Sequence, residues 1–228
     1  MVGLTNKKER IMIKKHNLVF LGPPGVGKGT IAEIIAADNN IVHISTGEIF
    51  RHEIKQGSEL GQQAREYVAS GGLVPDAIVA KLVRARLADH DADAGFIFDG
   101  FPRNIPQAEI FDDVLKEVNR KLDLVVSFEA SEELLIQRLT ARLTCKKCGT
   151  NFNKIFSPSK KEGICDKCGG ELYQRVDDSL ETALDRMKIY NKETAPLVDY
   201  YKEKGMLVSI NGEQSREITV PEVLKVIS

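Results

Sequence analysis

Leu18-Val19-Phe20-Leu21-Gly22-Pro23-Pro24-Gly25-Val26-Gly27-Lys28-Gly29-Thr30 decides the fold. A short apolar run ends at a glycine, Gly22 to Lys28 has the spacing G-x-x-x-x-G-K, and the helical stretch Ile31 to Ala37 follows. Glycines there let backbone N–H groups turn toward one anion at a helix N-terminus, where the macrodipole is already positive. Lys28 can then reach terminal phosphates. A plain glycine-rich turn would not need a strand on one side and a helix on the other. Gly25, Val26, Gly27, Lys28, Gly29 and Thr30 are therefore the candidate phosphate loop. The residue after Lys28 is Gly29, and the hydroxyl comes one place later at Thr30, so Mg²⁺ must be held differently from the usual arrangement.

Outward from this loop, four more apolar runs read as strands: Ile41 to Ile44, Phe96 to Phe98, Leu124 to Phe128 and Leu207 to Ile210. None alternates, and helical stretches separate them, which is the pattern of parallel strands buried on both faces. The expected fold is an α/β doubly wound sheet of five parallel strands. Ser131 to Leu143 reads as a helix with Ser131 as N-cap. Asp178 and Glu181 have capping-box spacing ahead of a helix that Pro196 should kink or restart. Ser45 to Val74, punctuated by glycines, is long for one crossover and reads as a helical insert. Thr144 to Arg175 loses periodicity and holds all four cysteines, so it reads as a second insert.

The 228 residues carry 32 Lys plus Arg against 33 Asp plus Glu, a formal charge of -1, which argues against a generic polyanion binder. The length allows one large domain with inserts. No apolar run approaches the roughly 18 residues of a membrane span. Residues 1–17 are basic, but their apolar cluster is too short for a signal peptide, so a solvated arm and a cytoplasmic location with reduced thiols are expected. The four cysteines fall as Cys145-x₂-Cys148 and Cys165-x₂-Cys168. Two such knuckles point to structural Zn²⁺; redox thiols or two disulfides are the alternatives, which a reducing compartment disfavours. The four histidines are scattered and receive no chemistry.

Gly22 to Thr30, Ser45-Thr46-Gly47, Asp99-Gly100-Phe101-Pro102-Arg103 and Arg175-Val176-Asp177-Asp178 occur in that order. Together they resemble adenylate kinase of the long, zinc-lid bacterial type, from about Leu18 to the C-terminus. The resemblance implies a kinase core over 18–228, with a monophosphate-binding insert at 45–74 and a zinc-binding lid insert at 142–179. It implies reversible transfer from MgATP to AMP giving two ADP, with no covalent intermediate. Thr46, Arg51 and the backbone of Gly72, Leu73 and Val74 would surround AMP. Gly100, Phe101, Pro102, Arg103 and Gln107 would complete that pocket, Thr46 and Gln107 near adenine and Arg51 and Arg103 on phosphate.

The same resemblance places Arg138 and Arg142 on the helix entering the lid and Arg175 and Arg186 on the way out, all closing over phosphates. Arg138 would also stack on the ATP adenine, and Arg175 and Arg186 would also serve AMP. With Lys28, Arg103 and Asp99 they form the implied catalytic set, Asp99 orienting Mg²⁺ through its water shell. Asn151, Phe152 and Gln214 occupy ATP-contacting positions, Gln214 through its backbone. Glu48 stands where many family members have Asp. The expected assembly is a monomer bound to neither nucleic acid nor membrane. Two other readings remain at this point: a kinase for another monophosphate or with GTP as donor, and a zinc-ribbon nucleic-acid module on a phosphate-loop scaffold.

Overall fold

β1 (Asn17–Leu21) lies in the middle of its sheet, with Leu18 and Phe20 buried in one apolar layer and Val19 and Leu21 in the other. Burial on both faces is why this run shows no alternation. The computed structural model describes residues 12–228, so residues 1–11 of the expected arm lie outside it. After β1 come α1 (Lys28–Asn39), β2 (Val42–Ser45), α2 (Thr46–Gln56), α3 (Glu59–Ala69) and α4 (Asp76–Leu87). Then follow β3 (Phe96–Asp99), α5 (Ile105–Glu117), β4 (Leu124–Glu129) and α6 (Glu132–Thr140). Three short strands, β5 (Arg142–Cys145), β6 (Asn151–Asn153) and β7 (Leu172–Tyr173), form a separate antiparallel sheet in the order β6-β5-β7. The chain ends with α7 (Leu180–Ile189), a π-helical turn at Tyr190–Thr194, α8 (Pro196–Glu203), β8 (Leu207–Asn211) and α9 (Arg216–Ile227).

The main sheet has five parallel strands in the order β2-β3-β1-β4-β8. The chain goes from β1 to β2 on one side and later to β4 on the other, so the loop after β1 opens at the point where strand order reverses. Ligands of open α/β sheets bind there, at the carboxyl edge. Phe96, Phe98, Phe101 and Phe111 pack edge to face beneath it, with centroids 5.2 Å apart for Phe98 and Phe111. Such pairs add about 0.5–1.5 kcal/mol beyond their burial, which makes this edge rigid.

Three local expectations are corrected. The helix expected over Ser131–Leu143 stops at Thr140, and Arg142 lies on β5 instead of sharing a helix face with Arg138. The reason is that the last carbonyls are taken by the lid: Asn153 Nδ2 donates to Arg138 O, Gln174 Nε2 to Thr140 O, and Lys154 N–H to Ala141 O. Asp178 does not cap α7. The cap is Ser179, whose hydroxyl accepts the Thr182 N–H, while Asp178 is fully buried against two arginines. Ser131 stands at the N-cap of α6 but its side chain caps nothing; its own N–H donates to Glu213.

The arm is not wholly solvated either. Ile13 is buried, and the N–H groups of Lys14 and Lys15 donate to the last carbonyl of α9, on Ile227. Pro196 does restart the helix, and the preceding wide turn lets the buried Thr194 hydroxyl donate to Arg103 O at 2.7 Å.

Candidate functional site

The loop from Gly22 to Gly27 forms the floor of a cleft of about 560 Å³, within the range of small-molecule sites. Gly22 has φ 144° and a Cβ there would meet Phe128 O at 2.6 Å, so this turn admits only glycine. The free N–H groups at the start of α1 face the cleft with no acidic residue in the first turn to compete for them. Lys28 folds over the loop, its ammonium donating to Gly22 O and Pro23 O at 2.8 and 3.0 Å. Burial, reinforced by Arg103, Arg186 and Arg142, pulls its pKa down to about 8 against the attraction of Asp99.

Asp99 ends β3 and also lines the cleft. Burial would raise its pKa, but the His43 imidazole beside it and the charge of Lys28 outweigh that and hold it below the ordinary value. An ionised carboxylate facing a phosphate loop is an oxygen donor of the kind Mg²⁺ takes, directly or through water. A Cβ at Gly29 would meet Asp99 Oδ2 at 3.0 Å, a tight contact to which the carboxylate would have to yield.

Arg51, Arg103, Arg138, Arg142, Arg175 and Arg186 all line the cleft. Arg142 and Arg186 converge on the fully buried Asp178: Arg142 Nε donates at 2.8 Å with a second, shorter bond from Nη2, and Arg186 Nη1 donates at 3.2 Å. Arg186 Nη1 also donates to Asp177 Oδ2 at 3.1 Å. Arg175 is held by Thr144 and Asn151, donating at 2.8 and 2.7 Å. Burial lowers the pKa of Arg175 to about 9 and of Arg186 to about 10, the charge of Arg142 adding to both. Both remain charged at neutral pH. Such a set of desolvated cations, with Asp99, Asp177 and Asp178 as its buried counter-charges, is poised for a polyanion.

A second, smaller cavity of about 60 Å³ lies between α2, α3 and the segment after β3. Thr46, Gly72, Leu73, Val74, Gly100 and Gln107 line it, and Arg51, Arg103 and Arg186 belong to its wall as well as to the cleft's. Thr46 Oγ1 donates to Gly100 O at 2.9 Å and Arg103 Nε to the same oxygen at 2.8 Å. Two expected pocket residues take other places. Phe101 is 2% exposed and packs in the aromatic core, whereas its neighbour Pro102 faces the cleft. Gly71 (φ 72°) makes room for Arg186, whose Cγ would lie 2.5 Å from a Cβ there.

At the far end of the cleft, Arg138 donates to Gly212 O at 2.6 Å and Glu213 O at 3.1 Å, and its guanidinium lies 5.7 Å from the Phe156 ring centre. Phe152 and Gln214 line this end, and Gln214 Oε1 is buried without a protein partner among the described residues. Asn151 also reaches the cleft, but its Oδ1 accepts from both Thr144 and Arg175.

The four cysteines come together in the lid, with Sγ atoms all within 4.8 Å of one another. Cys145 and Cys168 sulfurs are 3.5 Å apart and Cys148 and Cys165 3.6 Å, far beyond the disulfide length of about 2.05 Å. They are close to the ~3.8 Å separation expected of sulfurs each about 2.3 Å from a tetrahedral Zn²⁺. Gly170 allows the approach, since a Cβ there would meet Cys145 Sγ at 2.8 Å. The donor set fits structural zinc, and sequence spacing alone had indicated it.

Several site residues escaped the sequence reading. His43, set aside as one of four scattered histidines, places Nε2 3.8 Å from Asp99 Oδ2 because β2 pairs with β3, a pairing that no local sequence pattern signals. Phe156, Asp177 and Asp178 carry no spacing signal that names their partners.

The family model described as adenylate kinase matches residues 20–206, which include the loop, the small cavity, the cysteine lid and all of the cleft's lining except its part between Gly212 and Thr219. The chain is 49% identical over 210 residues to an adenylate kinase of Caldicellulosiruptor bescii, covering 92% of this chain and 98% of that one. It is 46% identical over 211 residues to one of a Geobacillus species, covering 92% and 98%, and 47% identical over 201 residues to one of Archaeoglobus fulgidus, covering 88% and 93%. A parallel sheet with a phosphate loop at its switch point, two cavities that share three arginines, a four-cysteine lid and these likenesses agree: the chain belongs to the adenylate kinase family.

Proposed function

We infer that the chain transfers the terminal phosphoryl group of MgATP reversibly to AMP, giving two ADP. The observation that carries this is the shared wall: Arg51, Arg103 and Arg186 line both the cleft above the phosphate loop and the small cavity beside it. A hydrolase needs one phosphate site and a water, whereas a transferase needs two anions aligned against each other. ATP belongs in the large cleft, its phosphates on Gly25 to Thr30 and its base toward Arg138, Phe152 and Gln214. AMP belongs in the cavity lined by Thr46, Val74 and Gln107. Charge on the phosphoryl oxygens is stabilised by Lys28, Arg103, Arg142, Arg175 and Arg186 with no covalent intermediate. Asp99 would hold the ATP-bound Mg²⁺, which when bound neutralises charge on the transferring phosphates.

We read residues 45–74 and 142–179 as two closing inserts on the 18–228 core. Lys167 Nζ in one cysteine knuckle lies 3.3 Å from Glu33 Oε1 of α1, and Lys55 of α2 donates to Lys146 O in the other knuckle at 3.5 Å. Those contacts bring the lid over the cleft, and exclusion of water favours transfer over hydrolysis. They also speak against nucleic acid on the lid, because Lys146 and Lys167 are already paired with Glu171 and Glu33. No helix among the described residues is long and apolar enough to cross a membrane, and a cytoplasmic monomer is the reading we adopt. A coupled assay tests the function: ADP formation that requires both ATP and AMP supports it, and phosphate release without AMP-dependent ADP refutes it.

Two outcomes follow from the buried charges. A Lys28 pKa of about 8, below its unfolded value of 10.5, means that the unfolded chain binds more protons between those values. The group's burial penalty therefore holds below pH 8 and is relieved as pH rises through that window. Binding of ATP needs the charge, so kcat/KM for ATP should fall above about pH 8 while kcat, measured with phosphate beside Lys28, falls only at higher pH. Coincident alkaline limbs would contradict this. Asp178→Ala leaves Arg142 without its carboxylate and Arg186 with Asp177 alone, and should destabilise by about 3–5 kcal/mol, roughly 6–20 °C in Tm, measured by calorimetry.

A further inference from the structure

We propose that Asp76 sets which way round the Gln107 amide points, and thereby makes the monophosphate cavity select adenine over hypoxanthine. This rests on the adenylate kinase reading and deepens it. Gln107 is 2% exposed and lines the small cavity beside Thr46 and Val74. Its Oε1 accepts the Arg103 N–H at 2.8 Å, and its Nε2 donates to Asp76 Oδ1 at 2.7 Å. Asn104 Nδ2 donates to the same Asp76 oxygen at 3.2 Å, and Asn104 Oδ1 accepts the Gln107 N–H at 2.8 Å. Asp76 and Asn104 thus hold the first turn of α5 and the tip of its glutamine together.

Both partners of the amide are one-way groups. A backbone N–H only donates and a carboxylate oxygen only accepts. Rotating the amide by half a turn would set N–H against the Arg103 N–H and a carbonyl against the Asp76 carboxylate. Two hydrogen bonds would be lost and two repulsions created in a buried place. In the held orientation the amide keeps one N–H and one carbonyl lone pair unspent. Adenine offers the matching edge, an acceptor at N1 beside a donor amino group at C6. Hypoxanthine offers the mirror image, a donor at N1 beside an acceptor oxygen at C6. The rotated amide would suit hypoxanthine as well as the held one suits adenine, so the discrimination lies in what prevents rotation. Asp76 is the side chain that does so.

The test is a kinetic panel with AMP and IMP as acceptors on the full chain. Asp76→Ala should lower the AMP-to-IMP ratio of kcat/KM by ~10-fold or more, by raising KM for AMP and admitting IMP, with KM for ATP unchanged. Asp76→Asn brings an amide that could itself turn, but Asn104 Nδ2 donates to the same position as Gln107 Nε2 and holds the carbonyl there, so this variant should retain most of the ratio. A purely structural role at the start of α4 would lower Tm and both monophosphate activities alike. An unchanged ratio in Asp76→Ala, equal losses for AMP and IMP, or a ratio lost equally in Asp76→Asn would overturn the proposal. Absence of AMP-dependent ADP formation in the unsubstituted chain would remove both readings, and is seen before any variant is made.

Discussion

Arg103→Ala is expected to lower kcat/KM by about 10³-fold and to leave the fold intact. The guanidinium stands in the wall common to both cavities, where the two nucleotides' phosphates would meet. Among the described residues its side chain donates to a backbone carbonyl, Gly100 O, and to no carboxylate. Burial pushes its pKa down, and the attraction of Asp99 opposes that only in part. A buried cation with so little compensation contributes to anion binding and not to stability. Its removal should leave Tm unchanged or raise it, because the Gly100 carbonyl keeps the Thr46 hydroxyl as a donor. Steady-state kinetics with a melting curve on the same preparation decide the matter. Near-normal kcat/KM would take Arg103 out of the site, and a collapsed Tm would make it a structural residue.

Cys165→Ser is expected to act in the opposite sense, on the lid's stability far more than on the chemistry. The lid's own core consists of Cys145, Cys165 and Leu172, flanked by Leu143, Phe152 and Cys168. One leucine and two thiols cannot hold three short strands together by apolar burial, and in small zinc domains the metal contributes on the order of 10 kcal/mol. Loss of one ligand should empty the site and lower Tm by ~10 °C or more, with zinc content falling from one per chain. Below that transition kcat should stay within about tenfold of normal, because Arg142 remains tied to Asp178 and Arg175 to Thr144 without the metal. An abolished kcat at unchanged Tm would show a metal that takes part in the reaction.

What was legible in the chain follows from how local each signal is. The five strands are found within a residue of the expected apolar runs; in β1, β3 and β4 two-sided burial leaves a continuous apolar mark on a short segment, while the edge strands β2 and β8 are apolar without being buried on both faces. The cysteine lid was legible for a related reason, since paired knuckles bring their own ligands together. Arg142 was misplaced because Arg138 and Arg142 are spaced for one helix face, and only the lid's capture of the last carbonyls ends that helix at Thr140. Asp178 has the spacing of a cap, yet two arginines, one from either side of it in the chain, draw it into the interior. Nothing within a few residues of His43 announces that β2 pairs with β3 and sets it beside Asp99.

By itself, then, the sequence determined the phosphate loop, the parallel sheet and the cysteine ligands, because backbone conformation, burial and metal spacing act over a few residues. Only the tertiary structure decided which arginines face which carboxylates, why Gly71 must be small, and which way Gln107 points. Those depend on groups far apart in the chain meeting within a few ångströms, where Coulomb attraction, steric exclusion and hydrogen-bond direction are felt and where no local pattern records them.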